Sequence, residues 1–170
     1  MRFAVLGNSG SGKSTLAAWL GARAGAPVLD LDTIAWRPDQ PGVRREDAAA
    51  VADLQAFCSA DRWVIEGCYG DLVTSSLSQS PVLILLNPGL TRCQAHCRAR
   101  PWEPHKYASK AEQDANLEYL LAWVADYYER DGEMSLAGHR ACFDAYAGDK
   151  LEITSLDLED PPESLVAYIS

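Results

Sequence analysis

The sequence lacks any apolar run of the roughly 18 or more residues that a membrane-spanning helix requires. Its first residues, Met1-Arg2-Phe3, pass at once into an apolar segment. They show neither the charged region nor the cleavage site that is typical of a signal peptide. These two absences predict a soluble, cytoplasmic protein that does not contact a membrane.

Positive charge is also scarce, because 15 Lys and Arg residues stand against 24 Asp and Glu residues, a formal net charge of −9. A field of this sign repels polyanions, so nucleic-acid binding is disfavoured, including the binding expected of a kinase that acts on nucleic-acid ends. We expect a small molecule as the partner. No feature of the sequence specifies an oligomeric state.

The five cysteines do not form a recognisable disulfide or metal framework. Their number is odd, their spacing is irregular, and Cys93, His96 and Cys97 lack a second pair of ligands at a zinc-like spacing. In a chain expected to be cytoplasmic, reduced thiols are the default. We therefore expect no disulfide and no metal site at these residues.

Short apolar segments alternate with segments of helical periodicity, and hydrophobic residues make up 48% of the chain, enough for one substantial core. This alternation predicts one α/β domain over residues 1–170 with a mostly parallel sheet. Residues 131–148 are punctuated by glycine and carry no predicted element. The predicted strands are 3–6, 28–31, 63–65, 82–86 and 151–154, and the predicted helices are 13–24, 46–59, 90–100, 111–130 and 162–169.

A glycine-rich segment, GNSGSGKS, follows the first predicted strand and matches the phosphate-binding pattern G-x-x-x-x-G-K-[ST]. Glycine allows the backbone N–H groups of such a loop to face phosphate oxygens, and the dipole of the next helix favours the same anion. Lys13 can reach the β- and γ-phosphates, and the Ser14 hydroxyl is the expected Mg²⁺ ligand. The predicted nucleotide-binding residues are Gly7, Ser9, Gly10, Ser11, Gly12, Lys13, Ser14 and Thr15.

Two motifs of other phosphate-binding proteins are missing. The strand predicted at 82–86 ends in Asn87 rather than in an aspartate, which disfavours a motor-type ATPase. It also leaves Ser14, with Asp30 or Asp32, to organise the metal. No NKxD sequence is present, which disfavours a Ras-like or translational GTPase.

Three segments, GNSGSGKSTLA, PVLDLDTIAW and WVIEGCYGDL, precede a helix with Arg92, Arg98 and Arg100. Together they resemble the adenylate-kinase-like small P-loop kinases, including bacterial proteins described as adenylate kinase or related kinase, or as DNA topology modulation protein. Shikimate and gluconate kinases are more distant. The resemblance covers about residues 1–100 and the last strand. It implies a three-layer P-loop NTPase fold, a parallel sheet of order 2-3-1-4-5, a helical lid insertion at about 98–140, and phosphoryl transfer from ATP.

The same resemblance implies roles for residues that follow the second and third strands. Asp32 is expected near Mg²⁺ and the acceptor hydroxyl, with Asp30 as a second partner, and carboxyl ends of strands line the ligand crevice of open α/β sheets. A helix N-cap is the alternative role of Asp32. Glu66 is expected to contact the acceptor. Trp36 and Tyr69 either contact the acceptor or pack in the core.

Arginines are expected at the phosphates, because phosphoryl transfer concentrates charge that cations stabilise. Arg98 and Arg100 are the candidate catalytic arginines, and Arg140 is a candidate contact for the phosphates or the adenine. The segment EPHKY combines a proline with polar side chains, a composition typical of functional loops. Its residues His105, Lys106 and Tyr107 either contact the substrate or are solvated residues that precede a helix.

Together these features predict an ATP- and Mg²⁺-dependent phosphotransferase whose acceptor is a nucleotide or a small hydroxylated metabolite. The alternative is a nucleotide-dependent regulatory or binding P-loop ATPase, in which ATP occupancy switches residues 101–140 and no small-molecule acceptor exists.

Overall fold

The computed structural model describes residues 1–40, 42–104 and 107–169, so His105 and Lys106 lie outside the described residues. Strands and helices alternate along most of the chain. The strands are β1 (Arg2–Gly7), β2 (Val28–Asp30), β3 (Trp63–Gly67), β4 (Val82–Leu86) and β5 (Lys150–Ile153). The helices are α1 (Lys13–Ala24), α2 (Asp32–Ala35), α3 (Asp47–Cys58), α4 (Gly70–Ser76), α5 (Leu90–Ala99), α6 (Lys110–Ala115), α7 (Leu117–Asp126), α8 (Leu136–Ala145) and α9 (Glu163–Val166), with a 3₁₀ turn at Leu77–Gln79.

The five strands form one parallel sheet in the order β2-β3-β1-β4-β5, which confirms the predicted α/β class and strand order. The central strand β1 pairs with β3 on one side and β4 on the other. The register places Asp30 of β2 opposite Glu66 of β3, and Glu66 opposite Val5 of β1. Two acidic residues therefore lie side by side at the carboxyl edge of the sheet.

Alternate residues of β1 supply the cores on the two faces of the sheet. Ala4 and Leu6 belong to a cluster with residues of α2, α3 and α4, whereas Phe3 and Val5 belong to a cluster with residues of α1 and α9. This alternation follows from the two-residue period of a strand. Helices thus cover both faces, as a three-layer sandwich requires.

Three helical predictions differ from the structure. The single helix predicted at 111–130 is divided into α6 and α7 at Asn116, whose side-chain amide donates to the carbonyl of Glu112 at 2.9 Å. Such local side-chain bonds compete with continuous helix. Helix α8 lies in the stretch that carried no predicted element, and α9 is shorter than the predicted 162–169. Within the described residues, no helix is both long enough and apolar enough to cross a bilayer.

Candidate active site

The glycine-rich loop lies between the end of β1 and the start of α1, at the carboxyl edge of the sheet. Gly10 and Gly12 have φ values of 76° and 99°, in the left-handed region that side chains disfavour. The Nζ of Lys13, a nearly buried residue, donates to the carbonyl of Asn8 at 2.9 Å. The loop therefore folds its own lysine back over its backbone, beside the first N–H groups of α1, which point toward an anion.

Two helices from distant parts of the chain hold this loop in place. The Nδ2 of the buried Asn8 donates to the carbonyl of Val124 on α7 at 2.9 Å. On the other side, the Nδ1 of His96 on α5 donates to the carbonyl of Gly10 at 2.7 Å. The shape of the loop thus depends on the packing of α5 and α7 as well as on its own glycines.

A cavity of about 520 Å³ opens beside the loop, within the range of about 300–1,000 Å³ that is usual for ligand sites. Of the predicted nucleotide-binding residues, those from Gly10 to Thr15 line it, whereas Ser9 lines a neighbouring cavity and Gly7 belongs to β1. The remaining lining residues come from the segments that follow β4 and β5: Pro88, Arg92, His96, Ala99, Arg100, Pro101, Glu103, Leu156 and Leu158.

Leu156 and Leu158 were not among the predicted site residues. They lie in the segment after β5 and give the large cavity an apolar wall, opposite the polar phosphate loop. The signal that could have identified them is their position, because segments that follow the carboxyl ends of parallel strands line the crevice of such sheets.

A second cavity, of about 190 Å³, lies at the carboxyl ends of β2 and β3. It contains four of the predicted substrate residues, namely Asp30, Glu66, Tyr107 and, from the predicted metal site, Asp32 as well. The two cavities meet, because both are lined by Lys13, Ser14, Arg100 and Glu103. The other residues that line the smaller cavity are Ser9, Gly67, Cys68 and Leu120.

Glu66 is buried, with 4% of its surface exposed, and its Oε1 accepts a hydrogen bond from the Ser14 hydroxyl at 2.7 Å. Burial raises the pKa of Glu66, whereas the charge of Lys13 acts in the opposite direction. The sequence analysis assigned Ser14 a partner in Asp30 or Asp32. The structure adds Glu66, because β3 rather than β4 delivers a carboxylate directly beside the loop.

These oxygen groups suit Mg²⁺, although the described residues contain no group of three or more His, Cys, Asp or Glu side chains arranged as a metal site. Mg²⁺ is usually bound through one or two carboxylates together with waters and substrate phosphates. The Ser14 hydroxyl with Glu66 beside it, and the nearby Asp30 and Asp32, supply ligands of that kind.

Asp32 is held from behind by two aromatic side chains. The hydroxyl of the buried Tyr69 donates to Asp32 Oδ1 at 2.5 Å and accepts from Trp36 Nε1 at 2.5 Å. Burial is the main cause that raises the pKa of Tyr69, so the phenol keeps its proton and remains a donor. Trp36 and Tyr69 line neither cavity, and both pack with the core on that face of the sheet.

A buried histidine supports the wall of the smaller cavity. His139 on α8 is fully buried, its Nε2 donates to the carbonyl of Cys68 at 2.8 Å, and its Nδ1 accepts from the Tyr127 hydroxyl at 2.8 Å. Burial lowers the pKa of His139 to about 4, so the ring is neutral at physiological pH. His139 thus links the C-terminal end of α7 to the segment after β3.

The structure separates the three predicted arginines. Arg100 lines both cavities and lies 3.6 Å from Glu103. Arg98 is exposed on α5 and lines neither of them. Arg140 donates two hydrogen bonds, at 2.8 and 2.6 Å, to the carboxylate of Glu152 on β5, and it also lines neither cavity. Only Arg100 is placed where it could contact a transferring phosphoryl group.

Comparison with protein-family models gives no match, and comparison with curated proteins gives none either. Solved structures do match. A gluconokinase from Sinorhizobium meliloti 1021 is 14% identical, with a TM-score of 0.57, and the match covers 99% of this chain and 90% of that one. A shikimate kinase from Bacteroides thetaiotaomicron is 18% identical, with a TM-score of 0.53 and coverage of 99% and 94%.

The YorR protein from Bacillus subtilis, solved in complex with phosphorylated GDP, is 9% identical, with a TM-score of 0.56 and coverage of 99% and 95%. At these identities the likeness concerns the fold alone. It agrees with the resemblance inferred from the sequence: the chain has the fold of the small P-loop kinases.

Proposed function

We propose that the protein is an ATP- and Mg²⁺-dependent phosphotransferase that acts on a small-molecule acceptor. The observation that carries this proposal is that two cavities meet at Lys13 and Ser14. A triphosphate in the larger cavity and an acceptor in the smaller one would face each other across the Lys13 side chain. A nucleotide switch needs only the first cavity. A gluconokinase and a shikimate kinase among the structural neighbours give further support.

The phosphate loop and its lysine bind the donor. Backbone N–H groups at the start of α1 surround the phosphates, and Lys13 exchanges its bond to the Asn8 carbonyl for phosphate oxygens. Ser14 and Glu66, with Asp30 nearby, would hold Mg²⁺, which, when bound, neutralises charge on the β- and γ-phosphates. Arg100 stands at the junction of the two cavities and stabilises negative charge on the group in transfer.

Asp32 orients the acceptor and receives its proton. Its side chain lines the smaller cavity, and the hydrogen bond from Tyr69 fixes the carboxylate in one orientation. A carboxylate held in that way can accept the hydroxyl proton as the acceptor oxygen attacks the γ-phosphate. Tyr69 is therefore a positioning residue. Arg98 and Arg140, which lie outside both cavities, have no role in this mechanism.

The test is acceptor-dependent release of ADP by the purified protein with ATP, Mg²⁺ and a panel of nucleosides, nucleoside monophosphates and small polyols. Asp32→Asn keeps the size of the side chain and is expected to lower kcat by about 10²–10⁴-fold, the usual contribution of a general base. Its affinity for ATP should be retained. Asp39→Asn removes the same charge from an exposed residue that lines neither cavity, and it should leave kcat unchanged.

Slow loss of ATP that is indifferent to every acceptor and to Asp32 would contradict the proposal. That result is the one expected of a nucleotide-dependent regulatory protein.

A further inference from the structure

The arginines nearest to the smaller cavity in the sequence are already occupied by protein partners. Arg37, Arg44 and Arg45 lie between α2 and α3, in the segment where a phosphate or carboxylate of an acceptor would be expected to bind. Arg44 lies 3.0 Å from Glu133, and Arg45 lies 2.7 Å from Asp53. Arg37 donates to Gln40 at 3.2 Å. None of these three arginines lines the smaller cavity.

The pair of Arg44 and Glu133 would be costly to break. Burial raises the pKa of Glu133, while the hydrogen bond from Arg44 lowers it, so the arginine keeps a partly buried carboxylate ionised. Arg44 also lies over the ring of Tyr69, 5.4 Å from its centroid. A guanidinium with both contacts serves the architecture around Asp32 and is not available to a substrate anion.

The wall of the smaller cavity itself is unfavourable for an anion. Among the described residues, its only cationic side chains are two, and both are shared with the donor cavity, where the proposed function uses them for the phosphates of ATP. Like charges placed together are strongly disfavoured at binding sites. The cations are Lys13 and Arg100, and the carboxylates are Asp30, Asp32, Glu66 and Glu103.

The size of the smaller cavity points in the same direction. Its volume of about 190 Å³ is below the range of about 300–1,000 Å³ that is usual for drug-sized ligands, so a complete nucleotide is too large for it. Leu120 adds an apolar surface to a wall that is otherwise polar. Such a wall suits a small molecule with several hydroxyl groups and a carbon skeleton that can pack against Leu120.

We infer that the phosphoryl acceptor is a small polyhydroxylated molecule that carries no anionic group. The inference rests on the proposed function. It separates this chain from a kinase of nucleoside monophosphates or of sugar acids, because the described part of the smaller cavity offers hydrogen-bond acceptors for hydroxyl groups and reserves its cations for the donor.

Acceptor pairs that differ only in one anionic group test this inference. Sorbitol and gluconate are six-carbon chains that differ at one terminal carbon, and adenosine and its 5′-monophosphate differ by the phosphate. In the ADP-release assay, kcat/KM for the uncharged member of each active pair should exceed that of its anionic partner by at least about tenfold. Equal or greater kcat/KM for the anionic member would overturn the inference while leaving the proposed function intact.

If no acceptor of either kind supports release of ADP, both the proposed function and the inference fall.

A pair of variants on α7 locates the selectivity. Leu120→Arg adds a cation to the wall of the smaller cavity and should shift the ratio of kcat/KM values toward the anionic member by about tenfold or more. Tyr119→Arg adds the same charge one residue earlier, at a side chain that is 73% exposed, and should leave the ratio unchanged. A ratio that shifts equally in both variants, or in neither, would show that this cavity does not select the acceptor.

Discussion

Gly10 is the residue at which the phosphate loop meets α5 most closely, and its replacement by alanine tests how the loop is shaped. Its φ is 76°, and a Cβ added there would lie 2.3 Å from the carbonyl oxygen of Cys93 and 2.7 Å from Sγ of Cys97. A left-handed backbone costs a residue with a side chain about 1–2 kcal/mol. Overpacking adds about 1–3 kcal/mol, because a helix carbonyl cannot rotate away. Gly10→Ala should therefore lower the free energy of unfolding by about 2–5 kcal/mol.

The matched control is Gly42→Ala, at a residue with φ of 80° where an added Cβ would meet no heavy atom of the described residues within 4 Å. This control should lose only the backbone term of about 1–2 kcal/mol and should bind ATP normally. Urea unfolding and calorimetric titration with ATP would be measured for both variants. The reasoning is refuted if Gly10→Ala is as stable as the control, or if it binds ATP as tightly as the wild type.

Two further variants probe buried groups of the site. Because burial raises the pKa of Glu66, its contribution to stability falls as the pH rises through that pKa; Glu66→Gln should therefore unfold at an equal or higher Tm than the wild type at pH 8 but lose ADP release, and full turnover would contradict its role beside Ser14. His139 has its pKa lowered from 6.5 to about 4, so the stability it contributes is present above pH 6.5 and is lost as the pH falls toward 4, by about 3 kcal/mol. Urea unfolding between pH 7 and 4 should show a weaker pH dependence in His139→Gln, and an unchanged slope would contradict this assignment.

The sheet was predictable because its signals are local or belong to the motif. The strand predicted at 82–86 coincides with β4, since five apolar residues between two turn signals can be buried on both faces. Helix α8 was missed because glycines suggested a loop. In the structure, Ser135 caps this helix by accepting from the N–H of Gly138, and an added Cβ at Gly138 would lie 2.2 Å from the carbonyl oxygen of Gly132. That glycine serves a close approach of two backbones, which only the folded chain shows.

The candidate site was predictable at the phosphate loop, where each residue type has a local reason. It was less predictable where contacts join distant segments. The bond between Ser14 and Glu66 spans 52 positions, and the bond between Tyr69 and Asp32 spans 37. Arg98 illustrates the same limit, because its position one turn from the end of α5 could not reveal that it faces away from both cavities. Such choices depend on how helices rotate against the sheet.

The common wall of the two cavities has a thermodynamic consequence. Lys13 and Arg100 belong to both, so a molecule in one cavity changes the electrostatic surroundings of a molecule in the other. The two binding equilibria are therefore linked, and linkage is reciprocal: whatever factor the acceptor imposes on the dissociation constant of ATP, ATP must impose on that of the acceptor. A single coupling free energy, set by two side chains, would then govern the order in which this protein fills.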